Sequence, residues 1–174
     1  MKKIIAAFLC ALLAVSGVAL AEPVKLMDST SRFDVTLSLP EGAELTLNEL
    51  QSDYSVAKAA FGDLAPVGIL IAPSEEYAEM SLADLSDEEV NKMLADTAID
   101  FDEPASAIDV TPSGNKYIIV RQDGTQSMAT IITIYRGYFV QLVQFFDEYE
   151  PLTEADTEFL MNVLYGIEFV DVAK

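Results

Sequence analysis

Residues 116–147 read KYIIVRQDGTQSMATIITIYRGYFVQLVQFFD, and the fold class turns on the alternation inside them. Three strand-like segments, 116–122, 125–135 and 138–147, are separated by Asp123-Gly124, a favoured two-residue hairpin turn, and by Arg136-Gly137. In the last segment Tyr138, Val140, Leu142 and Phe146 point one way and Phe139, Val143 and Phe145 the other, so apolar groups occupy both faces. An antiparallel sheet with one wet face carries polar residues at every second position. The predicted sheet is therefore covered on both sides. Just upstream, 107–111 ends at Pro112-Ser113-Gly114-Asn115 and supplies a fourth strand of the meander.

Toward the N-terminus, Phe33, Val35, Leu37 and Leu39 alternate with Asp34, Thr36 and Ser38 until Pro40-Glu41-Gly42 stops the run. This is a half-buried first strand, with 43–47 as its hairpin partner. Residues 54–61 read as strand or helix, with the strand favoured, pairing with 67–71 through 62–66. Ser86 with Glu89 forms a capping box ahead of Val90, Met93, Leu94, Thr97 and Ala98 at helical spacing. The acids at 87, 88 and 89 then lie in a first turn, where the helix dipole favours them. Thr153 with Asp156 opens a second helix carrying Ala155, Phe159, Leu160, Val163, Leu164 and Ile167, which Gly166 ends. Residues 168–170 form a closing strand and 171–174 a loose tail. These segments add up to a single α+β domain: a central antiparallel sheet covered by helices on both faces.

The first 21 residues read as a cleavable secretory signal peptide. Lys2 and Lys3 precede a run of 18 uncharged residues, 4–21, that ends in Ala19-Leu20-Ala21, small residues at the two positions a signal peptidase inspects. An uncleaved anchor is the rival, since such a run approaches the length of a membrane span. Leu9 before Cys10 is too large for a lipid-attachment site, which leaves Cys10 as a filler of the apolar run. Cleavage leaves residues 22–174, one domain in length, with no further membrane span expected. It also leaves 8 basic against 29 acidic residues, a formal charge of −21. Nucleic acids and anionic lipid surfaces repel such a chain.

The chain has no His, and its one Cys leaves with the signal. That excludes Ser-His-Asp and Cys-His catalysis, a thiolate nucleophile, a disulfide and the usual zinc sites. The glycines of the mature chain are scattered and form no phosphate loop, so no cofactor is indicated.

The order of elements, with Leu39-Pro40-Glu41-Gly42 closing the first strand and Ile167-Glu168-Phe169 closing the last helix, resembles the PsbP-like family over about residues 31–170. The resemblance implies an α/β/α sandwich and an accessory or binding role. It carries no catalytic motif.

Three groups of side chains are candidates for function. Asp100, Asp102 and Glu103 precede Pro104 at a helix-to-loop junction, where alternate carboxylates can hold calcium or remain a solvated loop. Asp147, Glu148, Glu150, Glu154, Asp156 and Glu158 surround Tyr149 and Pro151. Paired carboxylates are the route open to a glycoside hydrolase without His or Cys, although acids at a helix start are already accounted for by the dipole. Tyr117, Arg121, Tyr135, Arg136 and Tyr138 come from neighbouring strands and are residue types favoured at interface hot spots, or else amphipathic residues of the sheet.

The expectation is a secreted or envelope-associated, non-catalytic binding or accessory protein for an unidentified protein or small ligand. Two alternatives stand beside it: a small carboxylate-dependent hydrolase acting on an envelope or dietary polymer, and an acidic cation-binding surface protein. Facing carboxylates in a cleft would mark the enzyme, convergent carboxylates the cation binder, and an exposed apolar patch on an acidic surface the binding protein.

Overall fold

The computed structural model describes residues 22–27, 33–50, 54–99, 101–122, 127–145 and 151–172. The expected signal peptide (1–21), the Asp123-Gly124 turn, Asp100 and residues 146–150 lie outside the described residues.

The strands are β1 (Val24–Met27), β2 (Phe33–Leu37), β3 (Glu44–Leu50), β4 (Ser55–Ala60), β5 (Val67–Pro73), β6 (Ala105–Val110), β7 (Lys116–Gln122), β8 (Met128–Tyr135), β9 (Tyr138–Phe145) and β10 (Ile167–Asp171). The described helices are α1 (Asp87–Ala98), α2 (Glu154–Gly166) and a 3-10 turn at Leu82–Asp84. Seven strands form one antiparallel sheet in the order β3-β4-β5-β9-β8-β7-β6, and three form a second sheet in the order β1-β2-β10.

Register explains why apolar residues fall on both faces of the large sheet. Ile119, Ile131, Leu142, Ile69 and Ala57 pair in one continuous row across β7, β8, β9, β5 and β4 on the inner face. Ile118, Ile132, Gln141, Leu70 and Val56 make the neighbouring row on the outer face. The inner face is closed by Phe33, Val35 and Leu37 of β2 and by Phe159, Leu160, Val163 and Leu164 of α2, all buried with the inner row in one core. The outer face holds a smaller core in which Leu82, Leu85 and Val90 pack on Ile118, Val120 and Ile134.

The expected α/β/α sandwich is corrected by this arrangement. The protein is mainly β, and among the described residues the inner face is covered by a second sheet together with a single helix, while α1 and the 3-10 turn cover only part of the outer face. Period-two alternation identifies a strand without saying which sheet it joins, and the first predicted strand joins the smaller one. Its expected hairpin with 43–47 is likewise replaced: β2 pairs with β1 and β10, and β3 pairs with β4. The pairing of 54–61 with 67–71 and the antiparallel meander hold.

Both capping boxes form. The Glu89 backbone N–H donates to Ser86 Oγ at 3.3 Å while the Ser86 N–H donates to Glu89 Oε2 at 2.8 Å. In α2 the Thr153 N–H and hydroxyl both donate to Asp156 Oδ2, at 2.8 and 2.6 Å. The buried Asp156 carboxylate also accepts the Ala65 N–H at 2.8 Å and so ties the β4–β5 connection to the helix. Asp156→Ala would remove the cap and orphan a buried amide. A loss of about 2 kcal/mol is expected in urea unfolding.

Candidate functional site

The group Tyr117, Arg121, Tyr135, Arg136 and Tyr138 does not come together at one place. Tyr135, Arg136 and Tyr138 surround Phe33 and Phe169 where the two sheets meet. Tyr135 stacks on Phe169 at 4.6 Å between centroids, Tyr138 meets Phe33 edge-on at 5.7 Å, and the Arg136 guanidinium lies 4.6 Å from the Phe33 ring centre. Arg136 Nη1 also pairs with Asp171 Oδ1 at 3.0 Å. Arg136 and Gly137 take positive φ in the two-residue turn that pairs Tyr135 with Tyr138. Arg121 lies elsewhere on the inner face, donating to Thr157 Oγ1 at 2.9 Å and to the Leu152 carbonyl at 2.5 Å. These contacts join parts of one chain. Tyr135, Tyr138 and Arg136 have the chemistry of an interface because they sit at the internal one, between the sheets.

Tyr117 is buried and paired with Tyr165 of α2. Burial, with contributions from the Tyr165 hydroxyl and Asp109, pushes its phenol well above the ordinary tyrosine range, and burial also raises Tyr165. The folded state then holds these protons more tightly than the unfolded chain. Their contribution to stability is complete below the ordinary tyrosine value of about 10 and is lost as pH rises beyond it. In urea unfolding between about pH 9 and about pH 11, Tyr117→Phe should lose less stability than the parent protein. An equal loss in both proteins would count against a buried, proton-retaining phenol.

The acidic groups are dispersed. Asp102 and Glu103 are exposed in the loop before β6, and Asp102 uses its backbone N–H to reach Gln122 Oε1 at 2.6 Å. Among the described residues no three carboxylates converge in a way that could hold a metal ion. Glu154 and Glu158 are exposed, and Asp156 is committed to the cap and to Ala65.

Two clefts lie along α2. The first, about 140 Å³, runs between Thr133, Tyr135 and Val140 of the sheet and Tyr165, Ile167 and Phe169. That is below the several hundred Å³ of a typical ligand pocket. The second, about 310 Å³, opens between Phe61, Leu64 and Phe159, with Glu41 and Glu158 at its rim. Both of those carboxylates are exposed to solvent rather than enclosed by the apolar wall.

Among the described residues a further feature is the outer face of β3, β4, β5 and β9, on the side away from the core that α1 builds. Leu47, Tyr54 and Phe145 are 38%, 42% and 45% exposed there, and Val56, Leu70 and Val143 are half-buried beside them. Tyr54, Leu70, Ala72, Pro73 and Glu75 line an open concavity on the same surface. Glu75 is exposed in it, and exposed Glu49 and Lys58 lie on the same face, paired with Val56 and with Leu47 and Gly68. Sequence reasoning inferred that both faces were covered and so did not single these residues out. The available signal was the supply of cover: one predicted helix cannot roof the outer face of a sheet this wide.

Compared with known proteins, the chain matches no family model and no curated protein. Among the described residues no helix is long and apolar enough to cross a membrane.

Proposed function

We propose that this is an exported, non-catalytic binding or accessory protein that engages a macromolecular partner through the open outer face of β3, β4, β5 and β9. The observation that carries the reading is the apolar surface made by Leu47, Tyr54, Leu70 and Phe145 on a strongly acidic chain. Apolar side chains left exposed on a polar surface mark a site of association. Export rests on residues 1–21, with cleavage after Ala21 and release outside the cytoplasm as the proposed outcome. The accessory role is also what the resemblance to the PsbP-like family implies.

Site-specific cross-linking tests the face directly. A photoreactive phenylalanine analogue at Tyr54 should capture a partner from the producing organism's envelope or medium, and the same group at exposed Asp84 should not. Equal capture from both positions, or none from Tyr54, would remove the face from the proposal.

A further inference from the structure

We infer that β6, at the edge of the large sheet, is a docking edge that takes an extended, basic peptide segment as an additional antiparallel strand. This rests on the binding-protein reading and adds to it a second contact and a partner chemistry.

Among the described residues β6 is the terminal strand of its sheet and pairs with β7 through six residue pairs, Ala105↔Arg121 to Val110↔Lys116, with no shift in register. The Thr111 N–H turns inward to the Asn115 carbonyl at 2.8 Å, whereas the Val110 N–H is met by the Asp109 carboxylate at 2.8 Å. Main-chain groups alternate in direction along an antiparallel strand, so the N–H and C=O groups of Ser106 and Ile108 point outward with that of Val110. Such a row is a template for another strand.

Proteins blunt such edges with bulges, Pro, inserted charges or covering segments. The opposite edge, β3, uses several of these. Its register shifts between Leu45 and Leu47, it carries Glu44 and Glu49, and Asn48 Nδ2 is bonded to the Lys25 carbonyl of β1 at 3.1 Å. Strand β6 reads ASAIDV, without Pro or a bulge, and its one charge, Asp109, occupies the Val110 N–H and leaves those of Ser106 and Ile108. Ile108 and Val110 lie 40% and 56% exposed on one face of it, and Asp109 lies on the other.

Charge selects the occupant. Exposed Asp102 and Glu103 precede the strand, Asp109 lies within it, and the chain carries a formal charge of −19. An incoming strand with apolar side chains on the Ile108 face and Lys or Arg on the Asp109 face meets complementary groups on both. A second copy of this chain would bring Asp109 and another −19 to the same edge.

The test titrates the purified protein with acetyl-TVKVKVT-amide and with its glutamate counterpart, acetyl-TVEVEVT-amide. The lysine peptide should slow hydrogen exchange at the Ser106 and Ile108 amides, and the glutamate peptide should bind about ten-fold more weakly. Ile108→Pro removes an outward N–H without touching the ladder to β7. It should abolish binding while leaving the melting temperature within about 2 °C. If that variant fails to fold, Ile108→Lys, which places a cation on the edge, should weaken the lysine peptide by a similar factor. Absence of protection at Ser106 and Ile108, or equal affinity for both peptides, would overturn the inference. So would a concentration-dependent dimer that Ile108→Pro abolishes, which would assign the edge to a second copy. Failure at β6 with the Tyr54 cross-link retained would eliminate this edge and leave the binding-protein reading standing.

Discussion

Gly166→Ala is expected to destabilise the protein by about 3 kcal/mol or more, lowering the melting temperature by roughly 10 °C. Gly166 is the last residue of α2, and its carbonyl accepts the Ser38 N–H at 2.9 Å just where β2 ends. A Cβ built there would lie 2.0 Å from the Ser38 carbonyl oxygen. That obstacle is backbone, held by β2 and the core beneath it, so the strain cannot be relieved by a rotamer change. Gly114→Ala is the control. Nothing lies within 4 Å of its Cβ, and its φ of +87° imposes only a conformational cost of about 1 kcal/mol. Similar losses from the two substitutions would mean that the close approach of α2 to β2 is misplaced.

Phe33→Ala should cost about 3–5 kcal/mol, enough to unfold much of the population near physiological temperature. Phe33 is fully buried, with Tyr138 and Phe169 edge-on at 5.7 and 5.9 Å and the Arg136 guanidinium 4.6 Å from its ring centre. Its removal opens a cavity at the junction of the two sheets. Phe145→Ala makes the useful comparison, because that ring is half-exposed on the open outer face. It should leave stability within about 0.5 kcal/mol, as surface substitutions do. Denaturant midpoints for the two variants, with unchanged m-values, would separate a residue of the core from one of the proposed docking surface.

Much of the local structure was legible because local chemistry decides it. The Ser86/Glu89 and Thr153/Asp156 signatures place both helix starts, and the alternation in 138–147 identifies a strand, but the cover inferred for its second face is incomplete, since Phe145 is exposed and Gln141 and Val143 are half-buried there. Long-range assignment was not legible. The pattern of Phe33, Val35 and Leu37 says that one face is buried, and nothing in it distinguishes packing beside β3 from packing across the core as part of a second sheet. The same limit separated Tyr117 and Arg121 from Tyr135, Arg136 and Tyr138. Adjacent strands bring residues together only when their positions along the strands match, and register is set by turns and distant partners. The open outer face was missed for a related reason. Val56, Leu70 and Phe145 have the composition of buried residues, and only a count of the segments available to cover them shows that some remain exposed.

The central claim is that this surface binds a partner, and the most direct measurement compares recovery of proteins from the native culture by the tagged parent chain and by a Tyr54→Lys, Leu70→Lys variant, each with its melting temperature. Tyr54 is exposed and Leu70 half-buried on the same concavity, so the double change alters the face while the core beneath it stays intact. The expected result is a partner recovered with the parent chain and absent with the variant, at melting temperatures within about 3 °C of each other. Recovery of the same partner by both proteins would contradict the claim.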